Sequence, residues 1–211
     1  MSSTRQEINK IFSDKFNDHW IKVKFYKKRL GLKDVKYLKN VRFCEATKAA
    51  ILEPVVIDKD SLNCLGAKYA FGWESGAKDK NRLFEYCNDK IGAKSGFANE
   101  LISQAPRLKE SYEYIGLNTE DEPDLILSYM MPENVMILLN LYQNFRGKKL
   151  DLSLCSMMSI CGGVAVKTFL EGNMNISFGC NDSRKYANIG KSRLAVGVPK
   201  NMFNIFELEK V

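Results

Sequence analysis

The same cysteine-bearing pattern occurs twice in this chain, and a repeated unit restricts a fold to two halves of related path. Cys44 lies in FCEATKAAIL, and twenty positions later Cys64 opens CLGAKYAFG. Cys161 lies in ICGGVAVKTFL, and nineteen positions later Cys180 opens CNDSRKYANIG. The segments after Cys64 and Cys180 share small residues, a basic residue and a Tyr-Ala pair. If the two units face each other, four thiolates converge on one site. Four thiolates are what an iron–sulfur cluster or a zinc ion requires.

Hydrophobic periodicity fills in the elements around the repeat. Residues 3–16 place Ile8, Ile11, Phe12 and Phe16 at helical spacing, and WIKVKFY at 20–26 alternates as a strand does. A helix from Phe43 that ends before Pro54, a short strand over 55–57 and a helix over 67–71 complete the first unit. The stretch 72–111, with Gly72, Gly76, Gly92 and Gly96, reads as an irregular surface excursion holding short helices near 82–87 and 97–104. Residues 112–115 read as a strand, and the nearly continuous apolar run 125–130 suits a buried one. Pro132 opens a helix to about Phe145, and Gly147 stops it. Residues 150–154 read as a strand. Residues 157–170 read as a helix that Gly162 and Gly163 weaken by roughly 1 kcal/mol each. Strands follow at 175–178 and 194–198, and Pro199 opens a last helix that offers Phe203, Phe206 and Leu208 for packing.

This alternation predicts an α/β or α+β fold with a mixed sheet and flanking helices. The expected organisation is a single domain over 1–211, with pseudo-repeated halves at about 20–75 and 124–198 and an irregular excursion at about 76–111. A chain of 211 residues, 45% of them hydrophobic, buries a sizeable core. No apolar run approaches the roughly 20 residues that cross a bilayer, so no membrane partner is expected. The N-terminal MSSTRQEINKIF lacks a signal-peptide core, which makes a cytoplasmic location the expectation. In that reducing compartment six cysteines point to metal binding, thiol chemistry or burial rather than disulfides. The net charge is +7, but the lysines are scattered and the densest run, 22–39, is interrupted by apolar residues. A solvated basic surface is therefore expected in place of a nucleic-acid groove.

The first cysteine of each unit falls near a helix start, where partial positive charge and free N–H groups favour a thiolate. The second ends a strand or opens a turn. Gly66 lies just after Cys64 and Gly179 just before Cys180, which permits tight turns whose N–H groups reach thiolates or cluster sulfides. No compact C-x-x-C occurs, so the fold must assemble the site. His19 is the one histidine, and beside Trp20 it reads as a surface or capping residue. Four thiolates without imidazole suit a [4Fe–4S] cluster, with Cys₄ zinc as the alternative. Cys87 and Cys155 stand outside the repeat and read as packing residues. Asp182, Arg184, Lys185 and Tyr186 follow Cys180 and are placed to hold an anionic substrate or tune a cluster, or else to form an exposed helix start. Glu45 reads as a first-turn carboxylate. Phosphate-loop, dinucleotide and nucleophile-elbow motifs are absent from the sequence.

The blocks VKFY, RFCEATKAAIL, SLNCLGAKYAFG, PDLILSYMMPENVMILL, GNMNISFGCNDSRKYA and LAVGVP together resemble the uncharacterised ArCR family of archaeal and bacterial proteins, a domain of unknown function. Their order and separations agree through most of the chain, and 72–111 matches poorly. The resemblance covers Cys44, Cys64, Cys161 and Cys180, with Arg184 and Tyr186 beside the last, and leaves out Cys87 and Cys155. It supports these four cysteines over all six as the metal ligands and implies no reaction; Arg184 and Tyr186 are expected as cofactor-binding neighbours from their place beside Cys180. Three readings stay open: an iron–sulfur protein, a zinc-binding or purely structural protein with buried cysteines, and a thiol-dependent enzyme. The expected partner is a redox protein or a small molecule, and a homo-oligomer in which each chain contributes one cysteine pair is also compatible.

Overall fold

The computed structural model describes residues 18–206 apart from 29–31, 33, 75 and 92–96. The strands are β1 (Trp20–Tyr26), β2 (Lys36–Tyr37), β3 (Val55–Asp58), β4 (Tyr114–Leu117), β5 (Leu125–Met130), β6 (Asn175–Ser177) and β7 (Leu194–Pro199). They form one mixed sheet in the order β2-β3-β4-β1-β5-β7-β6, in which only β2 and β3 run parallel. The α-helices are α1 (Phe43–Ala49), α2 (Leu65–Ala70), α3 (Gly76–Ile91), α4 (Phe97–Ser103), α5 (Pro132–Arg146), α6 (Lys167–Glu171) and α7 (Asn181–Tyr186). A π-helical turn, Cys161–Val166, runs straight into α6, and Lys200–Phe206 is a 3₁₀ helix. The architecture is α/β in a single domain.

Period-two burial explains the strands. In β5, Leu125 and Leu127 enter a large core on one face of the sheet, while Ile126 and Met130 enter a smaller core on the other. The large core gathers Phe43, Phe71, Leu83, Ile102 and Val164 against Ile21, Val23 and Ile115. The smaller core is built from Val135, Leu138 and Tyr142 of α5 with Met202 and Phe203. Each such side chain contributes about 1.5–3 kcal/mol on burial. Pro132 sits in the first turn of α5, and Gly147 ends it at φ 64°, the left-handed region glycine enters without strain.

The strand order carries the repeat. Outward from the antiparallel β1–β5 seam, β4 and β3 follow on one side, β7 and β6 on the other. Each side runs from an inner strand to a cysteine-bearing helix, an edge-ward strand, a cysteine, a short helix and a returning strand. The two sides therefore share one order of elements about the seam.

Four expectations are corrected. Residues 150–154 form no strand, and Leu152 and Leu154 are exposed. The helix expected over 157–170 begins at Cys161 and opens as a π turn: the Met158 carbonyl accepts from both Gly162 and Gly163, and Ala165 N–H donates to Ile160. The excursion is not a surface loop. Its α3 is 16 residues long and buries Leu83 and Cys87, and α4 buries Ala98 and Ile102. The final helix is 3₁₀. The helix expected over 3–16 lies outside the described residues. Among the described residues, no helix is long and apolar enough to cross a membrane.

Gly197 of β7 shows how closely the π turn lies on the sheet. A Cβ there would stand 2.5 Å from Thr168 Oγ1 and 2.9 Å from Val164 Cγ1. The segment that carries Cys161 is seated over a position that only hydrogen fits.

Candidate metal centre

The four repeat cysteines line one cavity of about 170 Å³. Cys44 is the second residue of α1, and Cys161 opens the π turn; they are 6% and 7% exposed. Cys64 and Cys180 each stand in extended backbone immediately before a helix, α2 and α7, and are half-buried. Each unit thus supplies one deep thiol and one nearer the mouth.

The helices meet crosswise. The helix of Cys44, α1, packs on α7, which follows Cys180, and α2, which follows Cys64, packs on the π turn of Cys161. Small residues allow this approach: a Cβ on Gly66 would meet Met158 Cγ at 2.7 Å, and one on Gly162 would lie 3.7 Å from Ala70 Cβ. Neither unit holds a complete site.

The electrostatics follow the same crossing. Burial pushes the Cys44 thiol up to about 12, with Cys180 and then Cys64 as the next causes. Burial raises Cys161 well above the ordinary thiol value, followed by Cys64, Cys180 and Cys44. Cys64 is raised chiefly by burial, with Cys180 contributing, while the backbone N–H groups of Ala67 and Gly66 pull the other way. The N–H groups of Glu45 and Gly162 likewise favour the thiolates of Cys44 and Cys161. Sulfurs that raise one another as anions, with amides turned toward three of them, suit a shared group that carries positive charge.

Around the mouth, Arg42 ties the units together. Its guanidinium stacks on the Tyr186 ring at 3.6 Å, and its Nε donates to Asp182 at 3.4 Å. The Arg42 N–H donates to Glu45 at 2.9 Å, so Glu45 caps α1. Tyr86 of α3 lines the cavity together with Asp182; burial first, and then the charge of Asp182, hold that phenol above its ordinary value. Under the site, the Tyr129 phenol donates to Thr47 Oγ1 at 2.6 Å, which itself donates to the Cys44 carbonyl at 2.8 Å. Burial raises Tyr129, Thr47 lowers it, and the charges of Cys44, Cys180 and Cys161 raise it further.

The remaining candidates fall elsewhere. Arg184 does not line the cavity; its guanidinium donates to the carbonyls of Phe178, Ile189, Gly190 and Arg193. Tyr186 reaches the site only through its stack on Arg42. His19 is exposed and borders a different cavity. Cys87 is fully buried, as a packing residue is, whereas Cys155 is exposed, against the packing role expected of it. Sequence reasoning missed Arg42, Tyr86 and Tyr129. Arg42 was legible as the residue before a cysteine-bearing helix; the other two carried no local signal. Among the described residues, no three His, Cys, Asp or Glu donors lie close enough together to hold one metal ion.

Comparison with known proteins gives no match among curated proteins or solved structures. The family model of the uncharacterised ArCR proteins, domain of unknown function 169, matches residues 15–207, a span that includes all four repeat cysteines and both halves of the sheet. The chain belongs to the uncharacterised ArCR family.

Proposed function

We propose that Cys44, Cys64, Cys161 and Cys180 hold an iron–sulfur cluster of the [4Fe–4S] type, in a protein that carries out redox chemistry with a redox partner or a small molecule. The observation that carries this reading is the convergence of four thiols, two from each repeat, on one cavity. The donor set is all sulfur. Among the described residues no three donors lie close enough together for one ion, and zinc needs each sulfur at about 2.3 Å, whereas a cluster spreads four cysteine ligands over four irons. This favours the cluster over the zinc alternative. Burial of Cys44 and Cys161 weighs against a thiolate nucleophile, because it keeps those thiols protonated.

When bound, such a cluster supplies reversible one-electron transfer. The chain contributes the rest. The buried thiols keep water from the deep side, and the N–H groups of Glu45, Gly66, Ala67 and Gly162 offset anionic charge on the sulfurs. Arg42, clamped by Asp182 and Tyr186, closes the rim between α1 and α7.

Anaerobic purification and reconstitution followed by iron and sulfide analysis tests the reading. Iron and sulfide in equal amounts, a brown absorption band and its loss in Cys44→Ser or Cys161→Ser support it. A colourless chain without iron overturns it, and zinc bound in its place would favour the alternative.

A further inference from the structure

A second cavity, of about 250 Å³, lies at the C-terminal ends of α1 and α7, the helices whose N-terminal ends carry Cys44 and Cys180. Its charge is one-sided. Lys48 and Arg193 line it, and the one carboxylate in the lining, Asp18, is already engaged. Arg193 Nη1 donates to Asp18, and Asn134 Nδ2 donates to its other oxygen at 2.9 Å. The same Nη1 donates to the Tyr129 carbonyl, so Nε and Nη2 of that guanidinium remain for a ligand. Among the described residues, the Lys48 ammonium and the His19 imidazole, both at the cavity, have no hydrogen-bond or ion-pair partner.

The turn after α7 forms the opposite wall, residues 187–190. Ala187 is right-handed at φ −85°, ψ −2°, and Asn188 is left-handed at φ 49°. That succession turns consecutive N–H groups toward one point and makes an anion-binding concavity. Among the described residues, the N–H groups of Asn188 and Ile189 donate to no backbone carbonyl. The carbonyls of Ile189 and Gly190 instead accept from the Arg184 guanidinium. Arg184 thus occupies the carbonyls of the turn and leaves its amides open. A helix C-terminus disfavours an anion, but at α1 the carbonyls of Ala46, Lys48 and Ala49 already accept from Ala50, Ile51 and Leu52.

We propose that this cavity binds the phosphate group of a small molecule, with Lys48, Arg193 and the Asn188 and Ile189 amides as donors. The tetrahedral oxygens of phosphate accept from several directions at once, here from α1, from the start of β7 and from the turn. The cavity is smaller than the roughly 300 Å³ at which sites for drug-sized ligands begin, so the molecule that carries the phosphate is small. Bound phosphate links the far ends of α1 and α7, which pack on each other beside the four-thiol cavity. Arg184, which does not reach that cavity, acts here by positioning the turn.

The site uses none of the repeat cysteines, so the test runs on the metal-free, full-length chain and its outcome is separate from that of the cluster reading. Inorganic phosphate and glycerol 3-phosphate are titrated in turn by calorimetry at fixed ionic strength. The expected result is saturable binding of one phosphate per chain by either probe, weakened roughly tenfold in Lys48→Ala by loss of a charged donor. Lys48 is exposed, so that variant keeps the fold, which circular dichroism checks. Lys148, Lys149 and Lys167 border a different cavity, and Lys149→Ala is expected to leave the affinity unchanged. Absence of binding by both probes overturns the proposal. Binding that survives Lys48→Ala and falls with Lys149→Ala overturns it too, as does acetate binding as tightly as phosphate.

Discussion

Replacing Gly197 by alanine tests whether the sheet positions the proposed metal centre. Gly197 lies in β7 beneath the segment that begins at Cys161. The new Cβ would meet Thr168 Oγ1 at 2.5 Å and Val164 Cγ1 at 2.9 Å, and Thr168 Cβ at 3.2 Å. Both contacted residues are 0% exposed, so neither has solvent to move into. Overpacking of a closed core costs about 1–3 kcal/mol. For a chain of this size that lowers Tm by roughly 2–12 °C. The strain lands on a rigid helical segment, so relief comes by lifting it, and Cys161 is lifted with it. Gly197→Ala is therefore expected to lose bound iron as well as thermal stability, both measured on the reconstituted protein. Thr168→Ala in the same background removes the shortest contact and restores part of both, as a double-mutant cycle reads. An unchanged Tm in Gly197→Ala, or additive effects in the double variant, would refute the claim that β7 seats the π turn.

Three further outcomes are expected. Arg42→Ala loses the stack on Tyr186 and the ion pair with Asp182, and chemical denaturation should show a loss of about 1–2 kcal/mol, the ion pair being discounted for its partial exposure; Arg42→Lys, which keeps the charge without the flat guanidinium, should recover less than half. Cys87, raised from 9.0 to about 11 in the fold, contributes stability that is present below pH 9 and lost as pH rises to 11. The advantage of wild type over Cys87→Ala should accordingly shrink by at most about 2 kcal/mol across that window in urea titrations, and a constant difference would remove Cys87 from the balance. In the native metal-free chain, iodoacetamide at neutral pH should label exposed Cys155 first and Cys87, Cys44 and Cys161 last, as timed mass mapping will show.

The elements that sequence reading placed well are those whose pattern and environment agree. WIKVKFY alternates because β1 has Ile21, Val23 and Phe25 in the large core and Lys22 and Lys24 on the other side. The run 125–130 lacks alternation because β5 is covered on both faces. Residues 150–154 alternate just as well, with leucine at 150, 152 and 154 and polar residues between, yet form no strand. A period-two pattern specifies a face and does not supply a partner strand. The helix α3 was underestimated for the opposite reason: its glycine-rich flanks read as loop, and only a narrow stripe around Leu83 and Cys87 is fully buried. The four cysteines were legible because they repeat. Their cross-pairing was not, since spacing within a unit says nothing about which helix of the other unit it meets. Tyr129 was hidden inside an apolar run that burial alone explained.

The shared order of elements in the two units also shows where they differ. The deep thiols, Cys44 and Cys161, and the outer thiols, Cys64 and Cys180, match in burial across the seam. The connections that follow the second cysteine helices do not match: residues 187–193 return directly to β7, whereas 71–113 carry α3 and α4 before reaching β4. That insertion sets Leu83 and Tyr86 against one side of the cavity, and no counterpart from 187–193 lines the other. On the proposed cluster reading, holding the metal belongs to the repeated part and access to it to the insertion. Tyr86→Ala removes part of a cavity wall without touching one of the four cysteines. It is expected to leave the iron content of freshly reconstituted protein unchanged and to speed iron removal by a ferrous chelator, followed by absorbance. Iron content that falls with Tyr86 would make α3 part of the holding structure, and an unchanged removal rate would mean that the cavity opens elsewhere.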